Sequence, residues 1–141
     1  MKVLSIKNPW ATLIVDGYKE YEFRSWKTNY RGKILIHSSL NIEKDMLERF
    51  KDYNLECING YIIGQANLTD CILVTKEFND ELLKIDKTVY GRANHEMKYA
   101  WKLENVIKYD RPIKAKGSLG LWNYEVEKWY IIWIWIMNHL N

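Results

Sequence analysis

The chain is poor in residues that staple, hinge or anchor a protein. Its 141 residues include two cysteines, Cys57 and Cys71, with no C-x-x-C pair, so neither a disulfide framework nor a zinc knuckle is predicted. The three histidines, His37, His95 and His139, lack ligand spacing, which argues against a metal centre, and no cofactor is expected. Two prolines and seven glycines lie scattered, with no linker-like cluster, internal repeat or low-complexity tract. That scarcity predicts one compact unit over residues 1–124, long enough to bury a core without staples, followed by an extension over 125–141. No apolar run reaches the roughly 20 residues of a membrane-spanning helix. The N-terminal M-K-V-L-S-I-K-N-P-W is broken by Lys7, Asn8 and Pro9 before a signal-peptide core forms, so the expected location is cytoplasmic, with no membrane contact.

Charge and aromatics are what the chain does have. A net charge of +3 permits a polyanionic partner without demanding one. Aromatic residues make up 14%, with 7 Trp and 10 Tyr, enough to fill a core and still leave rings for stacking on bases.

Local patterns predict the elements. Val3, Leu4 and Ile6 open a short strand that ends at Asn8 and Pro9, and Pro9 suits the first turn of a helix over 10–15. Gly17 is its C-terminal cap. From 19 to 26 the residues alternate, Tyr21 and Phe23 on one face and Glu20, Glu22 and Arg24 on the other, as in a half-buried strand. A turn over 28–32 leads to an apolar strand over 33–38, and 41–53 reads as an amphipathic helix capped by Asn41. A long strand over 61–74 carries a bulge candidate at Gly64. A short helix over 79–85 and a polar loop around 91–95 come next. Strands over 99–109 and 117–124, joined through Pro112, complete a mostly β protein with helices (α+β), a small antiparallel barrel decorated by two or three helices.

The stretch G-Y-K-E-Y-E-F-R-S-W concentrates the chemistry. Lys19, at the strand entrance, is either a surface lysine paired with Glu22 or an ammonium that reaches into a cleft to hold an oxyanion or act as a base. Glu22 and Arg24 form either the solvated face of an edge strand or an ion pair across a cleft, with Glu22 as general acid or base and Arg24 gripping a phosphate. Asn8 and Trp10 open the first helix with Lys7 beside them, a site suited to an anion; Trp10 is a core plug or a stacking wall. Trp26, Tyr30 and Arg31 make an aromatic and basic turn that suits single-stranded nucleic acid, or a packed turn with Tyr30 over Gly32. Ser38 or Ser39, after His37, is placed to hydrogen-bond a ligand edge. The run Trp129–Met137 (W-Y-I-I-W-I-W-I-M) is apolar on every face, which predicts burial in the domain or self-association.

Taken together, L-S-I-K-N-P-W-A-T-L-I-V-D-G, the G-x-K-x-x-E-x-R pattern of Gly17, Lys19, Glu22 and Arg24, W-K-T-N-Y-R-G-K-I-L-I-H-S-S, Y-A-W-K-L-E-N-V and P-I-K-A-K-G-S-L-G-L-W resemble the ASCH domain family of the PUA-like superfamily. The resemblance implies a PUA-like β-barrel with a cleft beside the first helix and a partner that is RNA or a modified nucleoside. For some bacterial members it also implies hydrolysis of N4-acetylcytidine, or RNA cleavage. In those hydrolases a Lys is followed three positions later by a Thr nucleophile, with a Glu further on. This chain keeps Lys19, has Glu22 in the Thr position, and offers Glu104 or Glu96 as the distal carboxylate. The candidate catalytic residues are therefore Lys19, Glu22 and Glu104, and the candidate binding residues are Lys7, Asn8, Trp10, Arg24, Tyr30, Arg31 and Ser38.

Overall fold

The structure is a computed structural model that describes residues 1–91, 97–125 and 128–140. Its frame is a six-stranded sheet in the order β2-β5-β4-β3-β1-β6, built from β1 (Lys2–Asn8), β2 (Tyr21–Arg24), β3 (Gly32–Ile42), β4 (Tyr61–Leu73), β5 (Tyr99–Lys114) and β6 (Leu121–Asn123). All neighbours run antiparallel except β1 and β3. The protein is mostly β with several helices, α+β as expected, but the barrel is not closed. β2 and β6 are the two ends of the order and do not pair among the described residues. One side chain spans the open seam: Arg24 Nη2, at the end of β2, donates to the Ser5 carbonyl of β1 at 2.8 Å.

The first helix, α1 (Trp10–Val15), has the bounds that Pro9 and Gly17 predict. Six residues are too few to hold a helix in water, so packing holds it. Ala11, Thr12, Leu13, Ile14 and Val15 are all buried. Ile14 packs with Leu4, Ile34, Ile36, Trp101 and Leu103 of the sheet. Leu13 meets Phe50, Leu82, Val89 and Tyr90, from the segments of α2 (Lys44–Arg49), α3 (Lys76–Ile85) and α4 (Lys87–Tyr90).

Three expectations about the elements change. The helix over 41–53 shrinks to α2 and a 3-10 turn over Lys51–Tyr53, and Asn41 belongs to β3 rather than capping a helix. Pro112 does not separate two strands: β5 runs through it, and residues 109–112 bulge out between the pairs Gly64↔Lys108 and Ile62↔Ile113. Lacking an N–H, proline is tolerated at such a bulge. The polar loop expected around 91–95 lies largely outside the described residues.

Gly64 sits in this irregularity, as expected. A Cβ there would lie 2.5 Å from the Ile107 carbonyl oxygen and 2.8 Å from Val15 Cγ1, so only glycine lets β5 and α1 approach β4 together. Gly64→Ala should destabilise the fold by about 1–3 kcal/mol, the range for overpacking, read as a lower denaturant midpoint at unchanged slope.

The apolar C-terminal run forms α5 (Lys128–His139). Among the described side chains of this helix Ile134 and Asn138 are buried, and Asn138 Oδ1 accepts from the Arg111 N–H at 3.1 Å on β5. Ile132, Trp133, Trp135 and Ile136 are exposed on the chain itself, the faces that the expected self-association would cover. No helix among the described residues is long and apolar enough to cross a membrane.

Candidate functional site

The end of α1 sets the position of Lys19. Gly17 takes φ +87° and donates its N–H to the Ile14 carbonyl at 3.1 Å, while the Tyr18 N–H reaches the Leu13 carbonyl at 2.9 Å. This paired closure reverses the chain, and glycine alone adopts it without strain. The Lys19 N–H joins the same Leu13 carbonyl at 3.1 Å, so Lys19 folds back alongside the helix before β2 begins.

On β2 the alternation is as expected, but its charged face points inward. The side chains of Lys19, Glu22 and Arg24 are only 3%, 10% and 22% exposed. Lys19 Nζ donates to Glu22 Oε1 at 3.0 Å and also to the Tyr21 carbonyl. Arg24 Nη2 donates to Glu22 Oε2 at 3.0 Å, and the Phe23 N–H reaches Glu22 Oε1 at 3.2 Å. Both carboxylate oxygens are thus occupied. Arg24 Nε is buried without an acceptor among the described residues.

Burial pushes the Lys19 ammonium below its ordinary range, and the attraction of Glu22 offsets this only in part. For Glu22, burial alone would raise the pKa, but Lys19 and Arg24 together outweigh it and hold the carboxyl below its ordinary value. The network is therefore two cations around one firmly ionised carboxylate, with one positive charge in excess. Aromatic rings soften the burial of Lys19: its Nζ lies 5.8 Å from the Trp10 ring centroid and 5.1 Å from that of Phe23, within cation–π range.

This network lines a cavity of about 690 Å³ at the open seam of the sheet. Of the residues that the sequence suggests, Lys7, Trp10, Lys19, Glu22, Arg24 and Ser39 meet there. The others lie elsewhere. Asn8 is fully buried and locks the start of α1: its Oδ1 accepts from the Thr12 N–H at 3.0 Å and the Thr12 hydroxyl at 2.6 Å, and its Nδ2 donates to the Ile58 carbonyl at 2.9 Å. Ser38 donates to the Tyr61 carbonyl within the sheet. Tyr30 donates to the Lys33 carbonyl, Arg31 to the Thr28 and Tyr30 carbonyls, and neither lines the cavity. Glu104 pairs with Lys102 at 3.6 Å, also off the cavity, and Glu96 lies outside the described residues.

The cavity also takes residues that sequence reasoning passed over. Glu43, just after β3, supplies a second carboxylate to its lining. Ser5 and His37, register partners on β1 and β3, form part of the far wall with residues 116–120. Their only local signal is the turn-like K-G-S-L-G. What brings it opposite Lys19 is the pairing of β6 with β1, across more than a hundred residues of sequence. Among the described residues no group of three or more His, Cys, Asp or Glu is arranged to hold a metal ion.

Comparison with known proteins agrees with this geometry in fold and family. The activating signal cointegrator 1 of Mus musculus is 33% identical over 137 residues, covering 86% of this chain and 22% of that protein. The Homo sapiens protein of the same name is 31% identical over 96 residues, 60% of this chain and 16% of its own length. The chain thus spans under a quarter of these relatives. The crystal structure of ASCH from Zymomonas mobilis matches with a TM-score of 0.51 at 18% identity, over 80% of this chain and 72% of that one, a likeness of fold alone. The model of the ASCH domain matches residues 4–113, most of the chain, and the chain belongs to the ASCH domain family.

Proposed function

We propose that the cleft beside α1 binds a nucleotide of single-stranded RNA or a modified nucleoside. One observation carries this reading: two buried charged side chains, Lys19 and Glu22, meet the half-buried Arg24 on the floor of an aromatic-lined cavity. Desolvating them is expensive, and apolar residues of similar size would stabilise a fold as well or better. Such a network in a cleft is therefore a functional-site signal. The excess positive charge of Lys19 and Arg24 suits an acceptor-rich ligand, a phosphate or a base carbonyl. Trp10 and Phe23 offer rings to a base, and Lys7, exposed at the mouth, adds a cation where a backbone phosphate would pass. The resemblance to the PUA-like superfamily supports RNA as the polymer.

Binding is favoured over hydrolysis. An effective general base has its pKa raised toward neutrality, whereas Lys19 and Arg24 hold the Glu22 carboxyl below its ordinary value and so make it a weak base. No hydroxyl stands at position 22 to take an acyl group.

Titration of a fluorescent, short, mixed-sequence RNA tests the reading. Arg24→Ala and Trp10→Ala should each weaken binding about tenfold, as expected for the loss of a charge-assisted hydrogen bond or of a stacking ring. If both bind as the unaltered protein does, with unchanged thermal midpoints, the cleft is not the site.

A further inference from the structure

Ser5 and His37, on the wall of the same cavity, form a connected set with Trp122 behind them. The Trp122 indole Nε1 donates to Ser5 Oγ at 3.0 Å, Ser5 Oγ bonds to His37 Nδ1 at 2.9 Å, and His37 Nε2 bonds to the Ala115 carbonyl at 2.7 Å. Two of the directions are fixed by chemistry: an indole N–H only donates and a carbonyl only accepts, so Trp122 donates to Ser5 Oγ and His37 Nε2 carries the proton it gives to the Ala115 carbonyl. Ala115 begins the loop of residues 115–120 and Trp122 lies just after it on β6, so the relay ties both ends of that loop to β1 and β3. The indole also meets the His37 ring edge-on, with centroids 5.6 Å apart. Gly117, in the middle of the loop, lies flat on the relay: a Cβ there would fall 2.7 Å from His37 Cε1 and 2.9 Å from Ser5 Oγ.

At its start the loop is also held by the Ala115 N–H, which donates to the Gly60 carbonyl at 3.1 Å, while its middle is exposed. Leu119 is 95% exposed, yet Leu119 and Lys116 both line the cavity. Ser5 links the two walls, since its carbonyl takes Arg24 Nη2 from the floor network and its hydroxyl bonds to His37.

We propose that residues 115–120 are the second jaw of the nucleotide cleft, latched in place by the Trp122–Ser5–His37–Ala115 relay, with Lys116 as a contact for an RNA phosphate and Leu119 as an apolar wall for a base. This rests on the binding function proposed above and adds its polymer contact. Lys116 and Lys7 stand as two cations at the mouth of one cavity, which a phosphodiester strand engages better than a free nucleoside does. Ser5 and His37 are positioning residues, acting through the loop.

Two measurements test the proposal. The first needs no ligand: amide hydrogen exchange across residues 116–120 should quicken in Ser5→Ala and in Gly117→Ala while exchange in β3 and β4 is unchanged. Unaltered loop exchange in both variants would overturn the latch. The second is RNA binding as a function of salt. Lys116→Ala should weaken binding by about three- to tenfold and reduce the logarithmic salt slope by about 0.7, the value for one phosphate of a single strand. Ser5→Ala should reproduce both changes, and the double variant should bind no more weakly than either single one. Additive losses would mean that Ser5 acts apart from Lys116, and unchanged binding in Ser5→Ala, with the loop loosened, would mean that the jaw is no part of the site. Failure of the binding function itself reads differently, as no affinity for RNA in the unaltered protein, and removes the jaw with it.

Discussion

Glu22→Gln should cost about 3–5 kcal/mol of folding stability, the range for breaking a buried ion pair by removing one partner. The loss is large because Glu22 serves two cations. Without its charge, Lys19, 3% exposed, and Arg24, 22% exposed, face a neutral amide whose one oxygen accepts from one of them while its NH2 is turned to the other. Acid should expose the same coupling in the unaltered protein. The Glu22 carboxyl sits below its ordinary value near 4.5, so its contribution is present above that pH and is lost as pH falls toward the lower folded-state value. Lys19 is also lowered, from 10.5, so holding its charge costs stability at neutral pH, a cost relieved as pH rises through the window below 10.5. Both groups make stability climb with pH, Glu22 in the acid range and Lys19 in the alkaline one. Urea unfolding along the pH scale checks this: the unaltered protein should lose stability below about pH 4.5 more steeply than Glu22→Gln. A variant within about 0.5 kcal/mol of the unaltered protein at neutral pH would show that the network is not desolvated.

Lys19→Met should separate stability from binding. Methionine fills similar space without a charge to desolvate, and Glu22 keeps Arg24 as its partner, so stability should stay within about 1 kcal/mol or rise. Affinity for RNA should nonetheless fall about 100-fold. Two of the three ammonium donors are engaged, by Glu22 and the Tyr21 carbonyl, and the third is free for a ligand acceptor, a charge-assisted bond worth roughly 1.5–3 kcal/mol. A group that costs the fold more than it contributes, and that the ligand needs, is the trade of stability for activity common in functional sites. Equal affinity in Lys19→Met, on a protein of equal stability, would remove Lys19 from the binding account.

The sequence made α1 legible because both its ends carry local punctuation, Pro9 before and Gly17 after. It made Gly64 legible because a glycine within a long strand pattern marks a bulge or a close approach. The face of β2 was legible only in its period. Alternation separates Tyr21 and Phe23 from Glu22 and Arg24, and the usual rule would have put the apolar pair inside and the charged pair in water. Here the charged face is buried as well, because β2 ends the sheet beside α1 and its ionic face closes the seam toward β1. Local rules fail in this way where function has displaced packing. Asn8 fits an anion site by position, yet its amide is consumed in anchoring α1. Tyr30, Arg31 and Glu104 lie near the motif in sequence, but the register of their strands and turns carries them off the cavity. The wall of residues 116–120 was invisible, since only long-range pairing brings it to Lys19.

The most direct measurement is a structure of the protein with a short single-stranded RNA bound. The expected result is a nucleotide seated in the cavity, an acceptor atom within hydrogen-bonding distance of Lys19 Nζ, and its base against Trp10. RNA lying instead along the turn of Tyr30 and Arg31, with the cavity beside α1 empty, would contradict the claim that the buried Lys19, Glu22 and Arg24 network is a binding site.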